Sequence, residues 1–291
     1  MGKAQRNRNL SARARIAEQQ AAARKTEQRR RIYAVTGSVV GVLVIIAAIF
    51  IVKSFQTHAK QGGTGSLTSS TFKGVTTVPA ATLSSVGAGP LPATGLPIKG
   101  ITDNVLTSSG KPDMLYIGAE FCPYCAAMRW SMAVALSRFG TLGPLSGIHS
   151  SSTDVDPNTA TLTFKNQKYS SKYLTFTPIE NEDVNHKPLQ KTTKAQQALW
   201  SKWDSSNGGL GYPFIDFGGK IVLTGPLYNP AVLKGLTWSQ ISNQLSNPNS
   251  TVTKNVLGAA NYVTAAICKM TNDTPSTVCK AGAIPSIESK L

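Results

Sequence analysis

From about Ile101 onward, short apolar runs alternate with longer stretches of helical periodicity, the pattern of an α/β chain. Residues 114–119 form a compact apolar run that predicts a buried strand, and residues 122–139 follow at once as a helix. Residues 147–151 read as a further strand. Residues 161–164 and 173–176 alternate in strand fashion, with Asn166, Gln167 and Lys168 as the turn between them. Residues 191–204 predict a helix with Ala198, Leu199 and Trp203 on its apolar side. Residues 214–217 and 221–224 are two short strands, and Gly218-Gly219 between them predicts a tight hairpin, because such turns need two residues at positive φ. Residues 237–245 and 254–270 close the chain as helices. Upstream, residues 79–86 suit a short helix opened by Pro79.

One run is of another kind. Residues 32–52 carry no charge in 21 positions and are rich in Val, Ile, Ala and Gly. As a helix with about 1.5 Å rise per residue they span roughly 30 Å, the thickness of a bilayer's hydrocarbon core. A cleaved signal peptide would have a shorter apolar core and a small-residue cleavage pattern after it, and neither is found. The expectation is a retained single-pass transmembrane helix.

Charge sets its direction. The chain has 291 residues and a formal net charge of +16, with ten Lys/Arg and two acids (Glu18, Glu27) in residues 1–31. Only Lys53 and Lys60 follow the apolar run closely. The positive-inside bias predicts a cytoplasmic basic tail (1–31), a membrane anchor (32–52) and an extracytoplasmic remainder in the cell membrane. The tail reads as a topology signal in contact with anionic lipid rather than a nucleic-acid element, since it has no interleaved aromatics for base stacking. Residues 53–100, rich in Gly, Ser, Thr and Pro, read as a tether with a partly ordered end. Residues 101–291 are the folded domain.

Chemistry concentrates at Cys122-Pro123-Tyr124-Cys125, where the predicted strand hands over to the predicted helix. The first N–H groups of a helix lack internal partners and carry partial positive charge, a field that stabilises a thiolate. Pro123 suits the first helical position. Cys125, one turn on, is placed to resolve a mixed disulfide formed at Cys122. The other two cysteines, Cys268 and Cys279, have ten residues between them and suit a structural disulfide around a turn, which would add about 3 kcal/mol in the chain-entropy model. A second redox pair or a four-cysteine zinc site are the alternatives, but ten intervening residues are too many for a zinc knuckle. The three histidines, His58, His149 and His186, show no ligand spacing. No metal is expected, and no cofactor, since no phosphate loop or dinucleotide fingerprint occurs.

Ala119-Glu120-Phe121-Cys122-x-x-Cys125, with Tyr212-Pro213 ahead of the Gly-Gly hairpin, resembles the thioredoxin-like superfamily over roughly residues 101–245. The resemblance implies a thioredoxin-like fold, a central mixed sheet flanked by helices, with an insertion at about 140–211 and a disulfide-stapled helical segment at the C-terminus. It implies that Pro213 is a cis-proline packed beside the redox pair, with Glu120, Pro123, Tyr124 and Tyr212 in support. Tyr116 departs from the pattern: it stands where thioredoxin carries a buried acid that takes the proton of the resolving thiol. The basic tail, the anchor and the second cysteine pair also resemble domain-of-unknown-function family 929, a membrane-anchored family of actinobacteria and archaea. That likeness implies no activity.

Together these features predict a membrane-anchored extracytoplasmic thiol–disulfide oxidoreductase. Its partners are protein thiol or disulfide substrates and a membrane redox protein that supplies or removes electrons. The competing reading is a stalked protein-binding module whose cysteine pairs are only structural. Topology is directly measurable. A membrane-impermeant maleimide applied to intact cells is expected to label a cysteine introduced at Ser66 but not one introduced at Ser11; the reverse pattern would overturn the orientation.

Overall fold

The computed structural model describes residues 65–92, 94–204 and 210–291. The basic tail and the apolar run 32–52 lie outside the described residues. Among the described residues, no helix is long and apolar enough to cross a membrane.

In chain order the elements are β1 (Gly65–Ser66), α1 (Ser69–Thr76), α2 (Ala80–Val86), β2 (Ile98–Gly100), β3 (Thr107–Ser108), β4 (Lys111–Gly118) and α3 (Pro123–Ser137). There follow β5 (Gly140–Leu142), β6 (Ser146–His149), β7 (Ala160–Thr163), β8 (Tyr169–Ser171), β9 (Thr175–Glu180) and α4 (Lys194–Trp203). The chain closes with β10 (Phe214–Phe217), β11 (Ile221–Leu223), a 3-10 turn at Pro230–Leu233, α5 (Trp238–Gln244), α6 (Thr251–Met270), α7 (Ser276–Cys279) and α8 (Ile284–Glu288).

A mixed sheet runs in the order β2-β11-β10-β4-β3, with β9 also paired to β4. The β4–β9 ladder is parallel and the others are antiparallel. β4 is apolar almost throughout because both of its faces are covered. Met114 and Tyr116 join the large core with α3 and α6, whereas Leu115 and Ile117 join Phe214, Val222 and Trp200 of α4. The protein is therefore a mixed α/β structure with helices on both faces of its central sheet. α3 packs along α6, which is buried on nearly every side, and Trp130 of α3 donates its indole N–H to the Ala160 carbonyl at 3.0 Å.

Several expectations are met at the level of single elements. The strand at 114–119, the helix after Cys122, the Gly218-Gly219 hairpin and the two late helices all form. Both glycines of the hairpin have positive φ, 66° and 75°, as the turn demands. Cys268 and Cys279 are disulfide-bonded and buried.

Other expectations need correction. The helix expected at 79–86 forms as α2, but the stretch read as tether with a partly ordered end enters the fold earlier, at Gly65: β1 pairs with β6, and Val75 is buried. α1 has only Thr71 and Val75 inside, too few apolar positions to register as periodic; its N-terminus is fixed by the Thr68 hydroxyl accepting from the Thr71 N–H. The strands at 161–164 and 173–176 do not pair with each other. β7 pairs back to β6, while β9 runs parallel to β4. The stretch 140–211 is thus not a single insertion, because β9 belongs to the central sheet.

Asp216 of β10 has no exposed surface. One carboxylate oxygen accepts from the Gly219 N–H at 2.7 Å and the other has no partner among the described residues. Burial pushes its pKa up to about 6, against the pull of the Gly219 hydrogen bond, and Asp103 and Asp113 add to the rise. A carboxyl raised on folding costs stability once ionised: the penalty is absent below about pH 4, grows as pH climbs through about 6, and is complete at neutral pH. Asp216→Asn is therefore expected to raise neutral-pH stability by about 1–2 kcal/mol, with the gain vanishing near pH 4. Denaturant melts at the two pH values check this.

Candidate active site

The site is built where β4 ends and α3 begins. Cys122 is the N-cap of α3, with extended backbone (φ −74°, ψ 121°), and Pro123 occupies the first turn. Its sulfur is the cap acceptor, receiving the Cys125 N–H at 3.4 Å. Ser, Thr, Asp or Asn oxygens usually fill this role, so a sulfur here sits where helix N–H groups converge. Across from it is the loop that leads into β10. The Tyr212–Pro213 peptide bond is cis, Pro213 is buried, and the Cys122 thiol lies 4.0 Å from the Tyr212 carbonyl oxygen.

Both cysteines are thiols and both are buried, Cys122 with 4% of its surface exposed and Cys125 with none. Their environments push them apart. The Cys122 thiol is lowered below the ordinary value, first by the hydrogen bond from the Cys125 thiol, then by the Cys125 N–H, the Arg129 charge and the Tyr124 N–H, against desolvation. The Cys125 thiol is raised well above it, first by burial and then by the neighbouring Cys122; Arg129 pulls the other way. The two environments favour the thiolate form at Cys122 and the thiol form at Cys125.

The remaining expected residues fall around this pair. Glu120 is nearly buried, accepts the Thr163 hydroxyl at 2.6 Å and is raised chiefly by burial. Tyr124 is exposed at the first turn of α3. Tyr212 accepts from the Asn181 side-chain amide at 2.7 Å and donates to Glu182 at 3.1 Å. A groove of about 620 Å³ opens between Tyr124 and Tyr212, walled by Pro97, Ile98, Lys99 and Pro226. Cys268 and Cys279, by contrast, are held by α6 and α7, and nothing draws them into the site.

Five contributors were not singled out from sequence. Arg129 is wholly buried and makes a two-pronged ion pair with Glu180 (2.8 and 2.6 Å) while also donating to the Ala119 carbonyl at 2.6 Å. Phe121 packs edge-on to Tyr212 and stacks with His186 at 3.8 Å between ring centroids. Trp200 of α4 stacks on Tyr212 at 5.1 Å and donates its indole N–H to the Gly211 carbonyl at 2.9 Å. The helix read as part of an insertion therefore braces the cis-proline loop. An arginine among Ala and Met inside a predicted buried helix was the available signal for Arg129; nothing local marked Glu180 or His186.

Residues 99–206 and 209–269, more than half of the chain, match the family described as Domain of unknown function (DUF929). The chain belongs to that family. No curated protein and no solved structure matches it. The DUF929 match includes β4, the cysteine pair, Arg129, Glu180 and Pro213. It stops short of Cys279, so the partner of Cys268 lies outside it.

The opposed thiol environments have a direct consequence. In the reduced protein, iodoacetamide at neutral pH is expected to alkylate Cys122 well before Cys125. The rate–pH midpoint for Cys122 should fall below 9.0, the ordinary thiol value, and Cys125 should react only on unfolding. Peptide mapping by mass spectrometry reads both, and equal labelling would contradict the assignment.

Proposed function

We propose that this protein has a thioredoxin-like fold and acts as a membrane-anchored, extracytoplasmic thiol–disulfide oxidoreductase. The observation that carries the reading is the Cys122 sulfur capping α3 while facing the carbonyl of a cis Tyr212–Pro213 bond 4.0 Å away. A thiolate at that point has a helix N-terminus to stabilise it, and the groove beside it is lined by Tyr124 and Tyr212, its neighbours in the helix turn and in the cis-proline loop. The central mixed sheet flanked by helices is what such a fold requires. Membrane attachment and orientation rest on the uncharged run 32–52 and the basic residues before it.

The chemistry follows from the two environments. The Cys122 thiolate attacks a substrate disulfide, forming a Cys122–substrate bond and releasing one substrate sulfur as a thiolate. Cys125 then attacks Cys122, forming the Cys122–Cys125 disulfide; the second substrate sulfur leaves and takes up the proton that Cys125 gives away. The substrate gains two electrons and the protein loses them. Run backwards, the same steps oxidise a substrate dithiol. A membrane redox partner resets the pair.

The alternative, a binding module with inert cysteines, draws on how little of either sulfur is exposed. One experiment separates the two. Cys125→Ala, expressed in the native host, is expected to accumulate mixed disulfides through Cys122 that dissolve on reduction, while Cys122→Ala traps none and loses turnover of an insulin or reduced-protein substrate. Absence of trapped partners, with full activity of Cys122→Ala in cells, would overturn the enzyme reading.

A further inference from the structure

Beneath the cysteine pair lie two donors that no oxygen or nitrogen acceptor satisfies among the described residues. The Tyr116 hydroxyl, with only the Cys125 thiol beside it, and the Nη1 group of Arg129 are both fully buried. Each such orphan costs on the order of 1–3 kcal/mol, and a phenylalanine at 116 would fill the same space without that cost. Both groups border the same atom. Arg129 sits one helical turn beyond Cys125 on α3, and its charge acts on the Cys125 thiol. Tyr116 projects from β4 to the face covered by α3, and its hydroxyl adjoins that thiol. Gly118 leaves room for it, since a Cβ there would collide with the Tyr116 hydroxyl.

We infer that Tyr116 and Arg129 form an interior anion-holding site for the Cys125 thiolate, filled when Cys125 resolves a mixed disulfide and empty while it is a thiol. The inference rests on the oxidoreductase reading and adds the group that makes its second step feasible. Before attack, the Cys125 thiol proton is directed to Cys122. Once Cys122 is bonded to substrate it no longer needs that proton, and Cys125 must ionise in a site with no exposed surface. An isolated charge there is prohibitive unless donors already point at it.

The other ionisable groups around the site fit this role. Glu180, on β9, opposes a second anion, but Arg129 holds it in the two-pronged pair. Glu120 and Tyr212 are both raised chiefly by burial and add no cation. Burial likewise keeps Tyr116 a donor at every physiological pH. Among the described residues, Arg129 supplies the one positive charge bearing on both sulfurs.

The step balances in atoms and electrons. With dithiobis(nitrobenzoate) as probe, the Cys122 thiolate forms a mixed disulfide and releases one nitrothiophenolate. Cys125 then forms the intramolecular disulfide, releases the second nitrothiophenolate and loses its proton to solvent. Stopped-flow absorbance on the full chain resolves the two releases. In Tyr116→Phe the first release is expected to keep its rate within about twofold and the second to slow about tenfold or more at neutral pH, with its pH profile displaced upward. The thermal midpoint should stay level or rise, because an unsatisfied buried hydroxyl has been removed.

Arg129→Lys keeps the charge but loses the guanidinium fork, and is expected to slow the second release more than the first, which feels the same charge through Cys122. This variant decides the matter if Tyr116→Phe does not fold. A second release unchanged in the folded variant would overturn the anion site while leaving the oxidoreductase reading intact. Loss of the first release in the parent protein would sink that reading and this inference with it.

Discussion

A single interior ion pair holds the site together. Arg129 on α3 grips Glu180 on β9 with two bonds and the Ala119 carbonyl with a third, so α3, the parallel strand and the turn before Cys122 share one anchor. Glu180 also accepts the Phe164 N–H at 3.1 Å, which ties in the chain just after β7. Neither side chain has any exposed surface. Removing one partner of such a pair leaves an uncompensated buried charge, at a cost of about 3–5 kcal/mol. The pair therefore acts chiefly as a constraint on geometry: the helix can sit against the sheet in only the one position that keeps both charges satisfied.

That constraint has an electrostatic by-product. Cys122 and Cys125 are three residues apart, yet helix position and burial drive their acidities in opposite directions. The cap position exposes Cys122 to converging N–H groups, whereas Cys125, one turn on, is wholly buried. The positive charge that fixes the helix is also the one that reaches both sulfurs. Around the rim, the aromatic series His186, Phe121, Tyr212 and Trp200 carries α4 and the 181–190 loop onto the cis-proline segment, so residues far apart in sequence shape one wall.

Much of this was legible from local pattern. The apolar run of β4, the cysteine at the cap with proline after it, and the paired glycines of the β10–β11 turn each depend on neighbours within a few positions. Where the reading missed, the missing information was long-range. The periodicity of residues 161–164 marks a strand but does not say which strand lies beside it, and β6 competed successfully with the residues after the Asn166 turn. α1 and β1 are short and polar, and they are ordered only because β6, α5 and the helical core receive them.

The sequence by itself determined β4, α3, the β10–β11 hairpin and the two late helices, the charge asymmetry of the N-terminal region, and the placement of two thiols at a strand-to-helix junction, because those follow from spacing, hydropathy and cap chemistry. Only the tertiary structure decided that Arg129 meets Glu180 across 51 residues, that Cys122 faces Tyr212 across 90, and that Tyr116 and Arg129 are left with unpaired donors beside Cys125. Those outcomes depend on desolvation and on which distant groups share a buried space, and no local window of the chain contains that information.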